Sequence, residues 1–373
     1  VKKLMIADVE IGCFLSGGID SSLVASLMQK NSMKKIKTFT IGFKEKQFDE
    51  SQYAKKIANH LGTDHHEMII SIDDMMENIE NVYDIYDEPF GDSSFLPTNI
   101  VSKLASKSVK VVLSGDGGDE VFLGYNRYLF AKKIQRFNNY IPLGIRKILK
   151  SLLTNFPIGI LDYMSKPFEK KLGIQGFSHK IQKIANLMEY NDHIDFYKKL
   201  NLIDNKNLEF LTNYKIFDED RDLISSTQLN DINYYLPNDI LTKVDRASMN
   251  NSLEVRSPFL DSTIAKYIFK ISNKYKMKNG ILKYFLKKSL NDFVPKKYFD
   301  RPKMGFAIPL DIWLKKKKII KLFDDIYNTT DWEQISMNST SIKKIWSGYK
   351  SYKNHTPTSV WNYAMAGIWL KRN

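Results

Sequence analysis

Two glycine-rich segments carry the residue types that could do chemistry. Phe14-Leu15-Ser16-Gly17-Gly18-Ile19-Asp20-Ser21-Ser22 follows a short apolar run and opens an apolar-periodic stretch. A strand that turns on paired glycines into a helix leaves several backbone N–H groups unpaired and aimed at one spot, which suits phosphate oxygens. Ser16, Ser21 and Ser22 add hydroxyl donors. Asp20 is unwelcome beside bare phosphate and makes sense if it holds a Mg²⁺ that the phosphates share. The spelling is neither the Walker pattern with its Lys nor the spaced three-glycine dinucleotide turn. Val109-Lys110-Val111-Val112-Leu113-Ser114-Gly115-Asp116-Gly117-Gly118-Asp119-Glu120 repeats the design at a later strand end, now with three carboxylates. Such groups repel one another unless a cation joins them, and Asp20 and Asp119 facing each other could hold one Mg²⁺. Either segment alone also reads as a tight turn with a capping Ser or Asp, or as a solvated acidic bend. The matched pair, in this order, argues against that reading.

The elements that must position these turns are legible around them. From Val9 to about Gly124 short β-rich runs alternate with helical patterns, the signature of a parallel sheet wrapped by helices. Strands are expected at Ile11 to Leu15, Ile36 to Phe43, His65 to Ile70 and Val109 to Leu113, with helices at Ser21 to Gln29, Asp49 to Leu61, Ile72 to Tyr83 and Pro97 to Ala105. Ligands of such sheets bind beyond the C-terminal strand ends, where both turns lie. After Tyr125 long Lys-rich amphipathic stretches predict helices, interrupted at points such as Phe156-Pro157-Ile158-Gly159. The expected organisation is an α/β nucleotide-binding core over 1–131, a helical insertion over 132–231 and a helical region over 232–373 that packs on the core and completes the site.

Composition narrows the class. The 373 residues and 43% hydrophobic content suffice for a large core. No apolar run reaches a membrane span and no charged-then-apolar leader opens the chain, so a cytoplasmic protein without a membrane partner is expected. Cys13 is the one cysteine, which excludes a disulfide within the chain and fits a buried small hydrophobe. The net charge of +14 is spread as Lys-Lys pairs with no arginine-rich tract, so no nucleic-acid partner is expected. His65-His66 lacks a third ligand at metal spacing and reads as a strand edge.

Beyond these turns, the chain resembles the synthetase domain of glutamine-dependent asparagine synthetases, the asparagine synthetase B family, whose Ser-Gly-Gly-x-Asp-Ser turn is that of the ATP pyrophosphatases. The resemblance runs through Phe14 to Ser22, Thr38 to Phe43, Leu113 to Tyr125, Leu236 to Asp239 with Lys243 to Arg246, Glu254 to Asp261, and Lys283 to Lys287. It implies a doubly wound parallel sheet of the ATP-pyrophosphatase type. It further implies that Leu15, Ile41, Ser114 and Gly115 hold the adenosine part of ATP, with Gly42 also in the ATP site, that Ser16, Gly17, Gly18, Asp20, Ser21 and Ser22 take its pyrophosphate, and that Asp20 and Asp119 hold Mg²⁺. Asp116 falls where the family places an acidic residue for the acyl-adenylate step, and Lys283 where a lysine neutralises the phosphates. Asp92, Ser93, Glu120 and Tyr125 are weaker candidates for the acceptor. Lys243, Asp245 and Arg246 read more readily as a solvated or salt-bridged helix face, and Glu254 to Pro258 as a seat for the helical part against the sheet.

The implied reaction amidates a carboxylate, aspartate first, through an acyl-adenylate, with release of AMP and pyrophosphate. Two departures matter. The family's ammonia comes from an N-terminal glutaminase domain with an N-terminal cysteine, which this sequence does not supply. A domain of a larger parent, using free ammonia and not glutamine, is therefore expected. Secondly, asparagine synthetases usually carry Glu where Asp116 stands, and the Gly-Asp-Gly-Gly-Asp-Glu form resembles relatives in surface-polysaccharide pathways, so a uronic-acid sugar is the rival acceptor. A tRNA-modifying ATP pyrophosphatase is the rival from another class and would demand a concentrated basic surface. The sequence does not fix oligomeric state; a homodimer is compatible with it.

Overall fold

The computed structural model describes residues 1–155, 177–201, 221–301, 308–351 and 356–372. The Phe156-Pro157-Ile158-Gly159 interruption lies outside the described residues. The chain divides into two compact units, one of Val1–Phe122, Leu236–Lys276 and Lys283–Asn373, the other of Leu123–Tyr235 and Met277–Leu282.

In the first unit β1 (Ile11–Phe14), α1 (Ile19–Lys30), β2 (Lys37–Phe43), α2 (Ser51–Leu61), β3 (Asp64–Ile70), α3 (Ile72–Glu80), α4 (Phe95–Ser106), β4 (Val111–Leu113) and the one-turn α5 (Gly118–Val121) follow one another. The sheet has five strands in the order β3-β2-β1-β4-β5, every neighbouring pair parallel. Its fifth strand, β5 (Glu254–Arg256), was not expected from the sequence. It pairs with β4 in the register Val111↔Glu254 and Leu113↔Arg256. Ser252 to Arg256 does alternate polar with apolar residues, but three paired residues between a helical pattern and Pro258 are too short to stand out as a strand. The segment does join the helical part to the sheet, and it does so by backbone pairing.

Alternate strand residues feed two cores. Phe39, Ile41, Phe43 and Val112 face a layer that includes α3, α4 and the C-terminal helices, whereas Cys13, Leu15 and Leu113 face α1 and α2. Both faces are covered, as a parallel sheet requires. Burial pushes the Cys13 thiol up, so it is inert as a nucleophile. His65 and His66 lie on β3 at the sheet edge.

The second unit contains α6 (Asn126–Tyr140), α7 (Leu143–Asn155), α8 (Phe177–Leu187), α9 (His193–Asn201) and α10 (Leu223–Asn230). Leu123, Tyr128, Ala131, Phe196 and Leu223 form its core. Beside them the Arg127 guanidinium lies 4.2 Å from the Tyr125 ring centre and 4.4 Å from that of Tyr235, and pairs at 3.1 Å with Asp231. The Tyr197 hydroxyl donates to the same carboxylate at 2.9 Å. Burial raises Asp231 to about 6, although Arg127 and the tyrosine hydroxyls pull the other way.

A folded-state value above the unfolded one means that the native protein binds the extra proton between the two. Stability attributable to Asp231 therefore falls as pH rises through that window. Urea unfolding should show the natural protein losing about 3 kcal/mol relative to Asp231→Asn between about pH 4 and about pH 6. A difference that does not change with pH would refute the assignment.

Further along the first unit come α11 (Thr242–Met249), α12 (Ser262–Lys270), α13 (Tyr284–Asn291), α14 (Lys317–Thr329), α15 (Ser339–Lys350) and α16 (Pro357–Arg372). Among the described residues no helix is long and apolar enough to cross a membrane.

Candidate functional site

The first turn leaves β1 at Leu15, which is buried and whose N–H donates to the Phe39 carbonyl at 2.9 Å. Gly17 sits at φ +73°, and a Cβ there would stand 2.7 Å from the Ala54 nitrogen. Both the backbone angle and the space demand glycine. Gly18 then caps α1 without any side-chain hydrogen bond to the first-turn amides, so that end remains open to an anion. Ser16 and Ser21 pin the turn to itself through their hydroxyls at 3.0 Å. Ser22 is fully buried, and its hydroxyl lacks a partner. Ile41 and Gly42 lie on the adjoining β2 and are likewise buried.

The second turn leaves β4 at Ser114, whose N–H donates to the Arg256 carbonyl and whose hydroxyl meets that of Ser257, both at 2.9 Å. Strand β5 thus braces the turn from one side. Gly117 takes φ +80°, and a Cβ on it would lie 2.3 Å from Leu260.

The two turns pack directly on each other. A Cβ on Gly115 would sit 2.8 Å from the Ser21 nitrogen, and one on Gly118 would sit 2.6 Å from an Asp20 carboxylate oxygen. Into this junction comes Lys283, buried at 4% exposure, at the start of α13. Its ammonium is hydrogen-bonded to Asp20 and lies 2.7 Å from Asp119. Burial opposes that charge, yet Asp20 and Asp119 outweigh it and hold the ammonium above its ordinary range. Lys283 keeps this place at φ +51°, a left-handed backbone that disfavours any side chain. Two carboxylates from different turns therefore converge on one cation position, which the Lys283 ammonium fills; among the described residues no group of three or more His, Cys, Asp and Glu side chains could hold a metal by itself.

Asp116 is half-buried on the same turn. Burial raises its carboxyl above the usual range, and nearby Lys243 works against that rise. Glu120 is buried on α5. Tyr125 belongs to the second unit, where its ring stacks on Arg127. Asp92 and Ser93 lie on the loop before α4, and Ser94, one residue on, donates its N–H to Asp92 at 2.9 Å.

One correction concerns the charged run on α11. Asp245 and Arg246 are exposed, and Arg246 pairs with Asp87 at 2.7 Å, as a solvated face would. Lys243 is salt-bridged, as that reading allows, but on the buried side of the helix and not on the solvated one. It is 8% exposed, and its ammonium lies 2.8 Å from Asp92 and 2.9 Å from the Ser94 hydroxyl. The signal was present in the period, because residues 243, 244, 247 and 248 bury one side of the helix while 245 and 246 turn outward. A cavity of about 750 Å³ is lined by Pro237, Thr242, Arg246, Arg256, Ser257 and Leu260 among others, and so shares residues with the bracing of the second turn.

The family model for asparagine synthase matches residues 1–371. The chain belongs to the asparagine synthase family. Glutamine-hydrolysing asparagine synthetase 1 of Bacillus subtilis is 33% identical over 319 residues, which is 84% of this chain and 48% of that protein. Glutamine-hydrolysing asparagine synthetase 3 of Arabidopsis thaliana is 38% identical over 140 residues, covering 34% of this chain and 23% of its own length. A second Bacillus subtilis relative, asparagine synthetase 3, is 27% identical across 82% of this chain and 46% of its own. The chain spans about half the length of the curated relatives it matches over most of its own sequence.

Proposed function

We propose that this asparagine synthase family member binds ATP across the two turns and joins ammonia to a carboxylate through an acyl-adenylate. The observation that carries the reading is the convergence of Asp20 and Asp119 on the Lys283 ammonium. The triphosphate is the ligand that matches it. The open amide end of α1 and the unpartnered Ser22 hydroxyl supply donors for the pyrophosphate, and Lys283 supplies a fixed positive charge. Asp20 and Asp119 would hold Mg²⁺, which when bound offsets phosphate charge.

The acceptor carboxylate oxygen attacks the α-phosphorus, and the bond to the bridging oxygen breaks with release of pyrophosphate. Ammonia then attacks the acyl carbon of the adenylate, loses a proton and expels AMP, leaving the amide. Asp116, half-buried on the second turn, is the proposed acceptor of that proton in its ionised form. The rest of the rate comes from positioning and from charge placed ahead of time.

Aspartate is the proposed acceptor and asparagine the product. A uronic-acid sugar is the second reading, favoured by the one specific departure, Asp116 in place of the longer Glu. Incubation with Mg-ATP, ammonium ion and a panel of carboxylic acids should yield AMP, pyrophosphate and amide in equal amounts with aspartate. Amide from a uronic acid alone would move the reading to the sugar. ADP and phosphate as products would refute the adenylate.

A further inference from the structure

Two lysines are buried among carboxylates of the first unit, and the reaction above uses only one. The acidic turn divides its charges between them: Asp119 meets Lys283, while Asp116, three residues earlier, lies within the field of Lys243. Lys243 also touches Asp92 and the Ser94 hydroxyl, and it feels Asp239. Tyr86, beside Asp92 and Asp239, donates its hydroxyl to the Lys243 carbonyl at 3.0 Å. One cation thus pairs with Asp92 and lies within the field of Asp116 and Asp239. Burying an ammonium is costly, and a salt bridge made for stability alone could be replaced by apolar packing at little loss. The ammonium ties two chain segments together, the loop before α4 and helix α11, and its charge acts on the acidic turn as well.

We propose that Lys243 is a positioning residue for the acceptor half of the reaction. It straps the Asp92–Ser94 loop to α11 and offsets the carboxylates around Asp116, so that an anionic acceptor can approach the site that Lys283 has already committed to phosphate. This deepens the amidation reading and rests on it. The Asp20–Lys283–Asp119 junction does not include Lys243, so ATP binding is independent of it.

The test is Lys243→Met, Lys243→Arg and Asp92→Asn in the full chain, read by steady-state kinetics and by hydrogen exchange without substrates. Lys243→Met should raise KM for the acceptor about tenfold or more while KM for ATP stays within about twofold. Lys243→Arg should recover most of the loss. Peptides covering Asp92–Ser94 should exchange about tenfold faster in Lys243→Met and in Asp92→Asn, with no change in those covering Leu15–Ser22. Asp92→Asn keeps the cation, so it tests the strap even if Lys243→Met does not fold. Equal rises in both KM values, exchange accelerated throughout, or an Asp92→Asn protein with unaltered loop exchange would each overturn the proposal. Absence of amide from every acid with the natural protein would instead defeat the amidation reading, and the exchange comparison would still decide whether Lys243 holds the loop.

Discussion

Lys283→Met should abolish measurable adenylation, with ATP–pyrophosphate exchange falling by about 10²–10³-fold or more, the scale expected when a fixed charge at a transition state is removed. The same change should have a second signature. Without the ammonium, Asp20 and Asp119 lose the cation they share, and breaking a buried pair in this way costs about 3–5 kcal/mol. Thermal unfolding in EDTA should therefore show a marked loss. Millimolar Mg²⁺ should restore much of the stability in Lys283→Met while adding less to the natural protein, where the lysine already fills the position. Activity should not return with it, because Mg²⁺ bound at the carboxylates does not replace a charge reaching the phosphates. Because Asp20 and Asp119 hold the ammonium above its ordinary value, its contribution to stability is complete at neutral pH and is lost only as pH rises through that elevated range. A Lys283→Met protein that melts as the natural one does in EDTA would show that the two carboxylates do not depend on it.

The legible part of this fold was the part in which local chemistry and global topology agree. Strands β1 to β4 are short β-rich runs, and two of them end on turns that only glycine can make at Gly17 and Gly117. Their order in sequence, with helices between, dictates a parallel sheet. Helix α1 begins at Ile19, two residues ahead of the expected Ser21, because Gly18 caps it with no polar side chain to mark the boundary. Strand β5 was illegible for a different reason. Its Ser-Leu-Glu-Val-Arg run does alternate polar with apolar, but only three residues pair and they follow α11 closely, so the edge of β4 decides that they form a strand.

The site divides in the same way. Asp20 and Asp119 stand out because acidic residues on phosphate-shaped turns are anomalous unless a cation is near. Lys283 does not stand out at all: the chain is full of lysines, and only the family resemblance singled it out. Its left-handed backbone, which shows how firmly the surroundings fix it, is invisible to propensity. Lys243 lay between these cases. The helical period placed it on the buried side of α11, but the charged neighbours Asp245 and Arg246 made the whole run look solvated.

Gly118→Ala separates the contact between the turns from the fold that carries them. Gly118 opens α5 with a backbone that any residue can adopt, and alanine is the better helix former by about 1 kcal/mol. Propensity alone predicts a neutral or stabilising change. The added methyl would instead stand 2.6 Å from the Asp20 carboxylate and 2.8 Å from its carbon, so Asp20 must swing away or the turns must part. Overpacking of this kind costs about 1–3 kcal/mol, which the helix gain partly offsets. In the proposed adenylation there is no such compensation, since a displacement near 1 Å of a group proposed to position the reacting phosphate costs about 10²-fold. Pyrophosphate exchange should thus fall by about two orders of magnitude in a protein whose urea midpoint moves little. Gly117→Ala makes the contrast: at φ +80° and 2.3 Å from Leu260 it should lose stability first, through strain and collision together. A fully active Gly118→Ala protein would mean that Asp20 has freedom to spare, and the two turns would then not be the single rigid grip that adenylation requires.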